Sequence, residues 1–155
     1  RLKSSRIALD VATRMGVAVK TKEGIHTFVL NGDPIRQLDD LIDILGEDEL
    51  KDATVFIEQL NYFRNASTVR SLAGRIGYLE HSLRKLGANV EMVSATAARK
   101  YLGVKTKDDV RILLGGSSDE ADATAILLLG LRNLGEEIPL DTETQRGLTI
   151  SRGLS

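Results

Sequence analysis

The sequence predicts an α/β domain, a mixed five-stranded sheet with helices on both faces. Three observations carry this expectation. Residues 6–30 alternate short apolar, β-rich runs with tight polar breaks, the pattern of an antiparallel meander. Two further strand segments, the apolar run 53–58 and the short 89–93, each follow a segment of helical periodicity, and the first of them is expected to lie parallel to the opening strand through a helical crossover. Finally, the nearly continuous apolar stretch 123–131 follows a capping signal and reads as a buried helix.

In chain order, Arg6-Ile7-Ala8-Leu9-Asp10 reads as a buried strand that stays apolar up to one carboxylate. Leaving an unpaired carboxylate in apolar surroundings costs several kcal/mol, so an Asp in that position caps a turn or meets a cation. After a turn near Ala12, a second strand runs from Gly16 to Lys20, and Thr21-Lys22-Glu23-Gly24 turns the chain into a third, Ile25 to Leu30. His26 in that strand reads as a packing or surface residue. Asn31-Gly32-Asp33-Pro34 then stops the strand and starts a helix, with Asp33 as N-cap and Pro34 in the first helical position. Ile35, Leu38, Leu41, Ile42 and Leu45 form its apolar stripe, while Asp39, Asp40, Asp43 and Glu47 to Glu49 read as solvated.

Ala53-Thr54-Val55-Phe56-Ile57-Glu58 repeats the opening device, an apolar strand closed by a single carboxylate. With the two strands adjacent and parallel, Asp10 and Glu58 emerge at one edge of the sheet, where open α/β sheets build their sites. Past the polar, aromatic segment Asn61-Tyr62-Phe63-Arg64-Asn65, a long helix spans about residues 66–87 with Val69, Leu72, Ala73, Ile76, Leu79, Leu83 and Leu86 as its apolar side. Gly74 and Gly77 weaken it by about 1 kcal/mol each, which points to close approach of the sheet or of a second subunit. His81 is expected on its exposed side. A short strand, Asn89 to Val93, leads to a helix from Ala95 to Leu102, and Thr106 with Asp109 opens another that ends at Leu114. Ser117 with Glu120 caps the last helix, in whose first two turns Asp119 and Asp122 share a face. Residues 1–135 are thus expected to form the domain and 136–155 a polar tail.

At 155 residues the chain fits one domain with a core of its own. It has no Cys, hence neither disulfides nor a thiolate metal site, in keeping with a cytoplasmic setting. Its longest apolar run, 125–129, is far too short to cross a bilayer, so no membrane partner is expected. The net charge of −1 argues against a generic polyanion binder, but its distribution does not. Residues 1–59 hold 8 Lys/Arg against 11 Asp/Glu, residues 60–115 hold 10 against 4, and residues 116–155 hold 3 against 7. A basic middle, densest at Arg99, Lys100, Lys105 and Lys107, suits a phosphate backbone, with carboxylates grouped elsewhere.

Two strand-end carboxylates and two on one face of a buried helix make a candidate site for hard cations. Carboxylate-only ligation suits Mg²⁺ or Mn²⁺ rather than Zn²⁺. Such sites commonly hold two ions about 3.5–4 Å apart and hydrolyse phosphodiesters.

The order strand-Asp10, meander, helix, strand-Glu58-Gln59, long helix, basic segment and Asp119-Glu120-Ala121-Asp122-Ala123 resembles the RuvC branch of the RNase H-like superfamily over about residues 6–134. Ile57-Glu58-Gln59 and the Asp-x-x-Asp-Ala pattern are its most specific pieces. Gly87-Ala88-Asn89-Val90 and Ala97-Ala98-Arg99-Lys100 fall where the family has its last strand and basic helix. The resemblance implies an RNase H-like fold and a homodimeric Holliday-junction resolvase with two Mg²⁺ ions per site, for which Mn²⁺ substitutes. It would nick four-way DNA in pairs, leaving 5′-phosphate and 3′-hydroxyl ends. Asp10 would bridge both metals, Glu58 and Asp119 would complete the coordination spheres, and Asp122 would serve the ion that activates water. Lys100 and one of Lys105 or Lys107 match the family's basic residues beside the active site, and Tyr62 or Phe63 its stacking aromatic. Arg64 and Arg99 join the expected DNA-binding set, and the glycine-bearing helix the dimer interface. The small size resembles phage-type or plasmid-type members, which would work in a host cytoplasm. One departure is Val11-Ala12 where the family usually has Pro-Gly after its first Asp.

Other classes fit less well. RNase H proper carries its Glu on a helix, and proofreading exonucleases carry Asp-x-Glu in the first strand. A broader flap or fork debranching nuclease on the same fold is the nearest alternative. Actin-like ATPases need a second domain that this length does not supply. A catalytically silent junction-binding protein gains nothing from four carboxylates facing phosphates.

Overall fold

The computed structural model describes residues 6–59 and 66–138 together with the backbone of 150–152. Its strands are β1 (Arg6–Asp10), β2 (Arg14–Thr21), β3 (Gly24–Asn31), β4 (Thr54–Glu58), β5 (Asn89–Val93) and β6 (Ile150–Arg152). Its helices are α1 (Pro34–Leu45), α2 (Glu47–Lys51), α3 (Ala66–Lys85), α4 (Ala95–Leu102), α5 (Lys107–Leu114) and α6 (Ser118–Asn133).

The strands form one mixed sheet in the order β5-β4-β1-β2-β3-β6. The β1-β2-β3 meander is antiparallel, whereas β4 runs parallel to both β1 and β5. The five expected strands are therefore all present. A sixth, β6, comes from the segment expected to be tail and pairs parallel to β3. Glu136 also engages the domain, pairing with Arg6 at 2.8 Å, and Glu137 accepts a hydrogen bond from the Tyr101 hydroxyl at 2.6 Å. Burial and that contact push the Tyr101 phenol up to about 12.

Strand side chains alternate between faces, and this parity sorts the core in two. Ile7, Leu9, Val17, Val19, Val55 and Ile57 face one side, where Leu38, Leu41 and Leu45 of α1 and Ile76, Leu79 and Leu83 of α3 cover them. Ala8, Ala18, Ile25 and Phe56 face the other and meet α6, which α4 and α5 enclose from outside. Enclosure on every side explains why α6 is apolar without a stripe, with Ala123 to Leu131 all buried.

The small residues on the α6 side set its distance from the sheet. A Cβ on Gly16 would run into the backbone carbonyl of Asp119, and one on Gly130 would lie 2.5 Å from Phe56 Cγ. These two glycines let the helix lie directly on β2 and β4. Glycines of α3 behave in the opposite way, since a Cβ on Gly74 or Gly77 would meet nothing within 4 Å. The close approach expected at Gly74 and Gly77 therefore does not involve the sheet, and Ala73, expected in the apolar stripe, is exposed.

The helix signals hold closely. Asp33 Oδ1 accepts from the Arg36 amide at 2.9 Å, and both Thr106/Asp109 and Ser117/Glu120 form complete capping boxes. Ile35 is an exception at 58% exposed. The α1 position turned inward is Gln37, whose side chain is fully buried.

Candidate active site

The register brings the first two acids together. Leu9 pairs with Ile57, so Asp10 and Glu58 are the next residues of parallel neighbours at the same strand end. By parity both belong to the face carrying Ala8 and Phe56, the face that α6 covers. On β2, Gly16 lies opposite Asp10 and admits the first turn of α6, which brings Asp119 and Asp122 to the same place. That turn is fastened three times. Ser117 caps it, Glu120 Oε2 accepts from the buried Thr27 hydroxyl at 2.6 Å, and Arg14 Nε donates to Asp119 Oδ2 at 2.8 Å. All four expected acids thus converge, two from strand ends and two from one helix face.

Asp10 is 7% exposed. Burial first, then a hydrogen bond and repulsion from Glu58, with Asp122 adding to it, push its carboxyl up to about 9, and Lys107 only partly offsets this. Burial also raises Asp122, against Lys107 and Arg99 and together with Glu58 and Asp119. The protein surroundings alone thus disfavour full ionisation of the cluster, which a bound cation would favour. With oxygen donors alone it fits Mg²⁺ or Mn²⁺. As the side chains stand, no three acids or imidazoles among the described residues form a ready-made ion cage. Asp119 is paired with Arg14 and Asp122 with Lys107, in each case through the Oδ2 oxygen.

The structure separates the basic residues. Lys107, the first residue of α5, has its ammonium 3.7 Å from Asp122 Oδ2 and lines the cleft. Arg99 acts on Asp122 electrostatically. Lys100 and Lys105 are exposed and form no ion pair with the four acids among the described residues. Tyr62, Phe63 and Arg64 lie outside the described residues.

The acids open into a cleft of about 390 Å³. Asp10, Glu58, Asp119 and Lys107 line it together with Thr13 and with Ser67, Thr68, Ser71 and Arg75 of α3. These α3 residues are not among the site residues expected from the sequence. Their signal in the sequence is the spacing of Ser67, Ser71 and Arg75, four residues apart on one side of α3, adjoining the apolar stripe. Gln37 Nε2 donates to the carbonyls of Ala12 at 2.8 Å, Thr13 at 3.1 Å and Leu30 at 3.1 Å, fixing the loop that follows Asp10. That brace occupies the place where the Pro-Gly pair is missing.

No family model and no curated protein matches the sequence. Among solved structures, the chain is similar to Thermus thermophilus RuvC in complex with a Holliday junction substrate, with a TM-score of 0.55 and 16% identity over 88% of this chain and 98% of that one. A second Thermus thermophilus RuvC structure gives 0.47 at 18% identity over 84% and 97%. The yeast mitochondrial Holliday junction resolvase Ydc2 gives 0.41 at 13% over 82% and 78%. The first of these similarities shows that the chain has the RuvC fold, an α/β fold of the RNase H-like kind.

Proposed function

We propose that the chain is a metal-dependent endonuclease that resolves four-way DNA junctions by paired phosphodiester hydrolysis. The observation that carries this reading is the convergence of Asp10, Glu58, Asp119 and Asp122 at one end of a RuvC-type sheet, beside a cleft lined by Lys107, with Arg99 acting on Asp122 electrostatically. Asp10 and Glu58 are presented by rigid strand ends, and Asp119 and Asp122 by a helix seated directly on the sheet. Two Mg²⁺ ions held by these four acids would supply an activated water and charge stabilisation at the departing oxygen.

The residues of the chain itself position and exclude. The buried wall around Asp10 limits water, Lys107 meets an incoming phosphate beside Asp122, and the Gln37 brace holds the loop after Asp10. Cleavage of the P–O3′ bond by water leaves a 5′-phosphate and a 3′-hydroxyl. Two symmetric nicks require two sites, and the open outer face of α3 around Gly74 and Gly77 suits contact with a second copy.

The test is nicking of a synthetic four-way junction, a plain duplex, a flap and a fork with Mg²⁺, Mn²⁺ or chelator. Symmetric, metal-dependent cuts confined to the junction are expected. Equal cutting of flaps and forks would identify a broader debranching nuclease instead, and binding without cutting under any condition would leave a junction-binding protein.

A further inference from the structure

Arg75 lines the same cleft as Asp10, Glu58 and Asp119. One of its guanidinium nitrogens, Nη1, donates to the Gly32 carbonyl at 3.0 Å and lies 3.5 Å from Gln37 Oε1, at the edge of hydrogen-bond range. Gln37 is itself fixed by three backbone carbonyls, so Arg75 is held by one corner to a rigid support. Arginine carries five N–H donors and stays charged at every relevant pH. Arg75 is half-buried, lines the cleft and forms no ion pair with a carboxylate among the described residues, and these two contacts engage Nη1 alone. A clamped guanidinium of this kind, with Ser71 one helical turn before it and Thr13 beside it, offers charge-assisted and hydroxyl donors together.

We infer that Arg75 seats a backbone phosphate of the nucleic-acid strand being cut, adjacent to the phosphate that lies at the acids. A strand threaded through the cleft then meets carboxylates at the scissile position and a cation with hydroxyls at its neighbour. A free anion lacks that second attachment and has to approach the acidic wall unaided, so the chemistry favours a polymer phosphate. The inference rests on the nuclease reading of the same cleft and adds a residue which that reading does not use.

The test is a salt titration of binding, by fluorescence anisotropy of a labelled four-way junction with chelator present, for the full chain and for Arg75→Ala and Arg75→Lys. Loss of one charged phosphate contact is expected to weaken Arg75→Ala about tenfold at fixed salt. It should also lower the slope of log K against log salt by about one unit, while Arg75→Lys keeps the slope. A purely structural Arg75 would shift the melting temperature and leave the slope alone, and an unchanged slope in Arg75→Ala overturns the inference. If the unaltered chain binds the junction but cuts no DNA with any metal, the nuclease reading fails while the phosphate contact stands or falls on its own slope. A chain that binds no DNA at all overturns both.

Discussion

The two faces of the sheet are built to different tolerances. Against one face, α6 lies so close that Gly16 and Gly130 have no room for a Cβ, and that helix carries Asp119 and Asp122. Against the other, α1 and α3 pack through Leu and Ile side chains, and the glycines of α3 look into open space. The two acids of α6 are thus mounted where the helix backbone approaches the sheet most closely. The looser face contributes the hydroxyls and the arginine of α3 that line the cleft. Positional precision and adaptability are divided between the faces.

Substitutions sharpen this contrast. Gly16→Ala should have the largest effect, because the new Cβ displaces the first turn of α6 and with it two of the four acids. Cleavage should fall to background and melting temperature should drop, with an overpacking cost of about 1–3 kcal/mol. Gly130→Ala, which meets the Phe56 ring at the far end of the same helix, should destabilise comparably in calorimetry yet keep more activity. Equal loss of activity in both would show that the helix moves as one body.

Next in size is Lys107→Ala, expected to slow cleavage about a hundredfold, as removal of a preorganised charge beside a reacting phosphate does. Lys100→Ala and Lys105→Ala, which remove lysines that form no ion pair with the acids among the described residues, should change initial rates far less at saturating DNA. A reversed ranking would place the active lysine elsewhere.

Smaller and opposite in sign is the stability of the metal-free protein. Burial and the neighbouring Glu58 push the folded Asp10 carboxyl up to about 9 from 3.8 in the free side chain, so the folded state keeps a proton that the unfolded chain releases. Stability of the metal-free protein therefore falls as pH rises between those values, and the group contributes nothing below the lower one. Asp10→Asn removes that penalty and should melt higher than the unaltered chain at about pH 8, with the difference vanishing toward about pH 4. Because metal must displace the same proton, Mg²⁺ affinity measured by calorimetry should rise with pH over this range. Smallest of all, Gly77→Ala should stabilise α3 by about 0.5–1 kcal/mol in the denaturation midpoint, since nothing opposes the added methyl.

Much of this was legible in the sequence because it rests on local signals. Capping at Asp33, Thr106 and Ser117 placed three helix starts, and an apolar run ended by one carboxylate marked both Asp10 and Glu58. Period-two alternation puts those acids on the face of Ala8 and Phe56 once their strands are known to be parallel neighbours. What was not legible depends on contacts distant in the chain. Gly16 reads as an ordinary strand residue until α6, more than a hundred residues later, is laid on it. Gln37 reads as a polar residue of an amphipathic helix, although its amide is buried and braces the loop after Asp10. Which lysine reaches the acids depends on how α5 starts, and spacing along the chain leaves Lys100, Lys105 and Lys107 equivalent. The strand β6 is too short to announce itself against a polar segment.

The most direct measurement is cleavage and binding of one synthetic four-way junction by the unaltered chain and by Asp10→Asn, side by side in Mg²⁺. Paired nicks near the crossover by the unaltered chain, none by Asp10→Asn, and junction binding equal or tighter in the variant are the expected results, since the substitution removes a ligand and a negative charge together. Cleavage by Asp10→Asn at a rate near that of the unaltered chain would contradict a site built on the four converging acids.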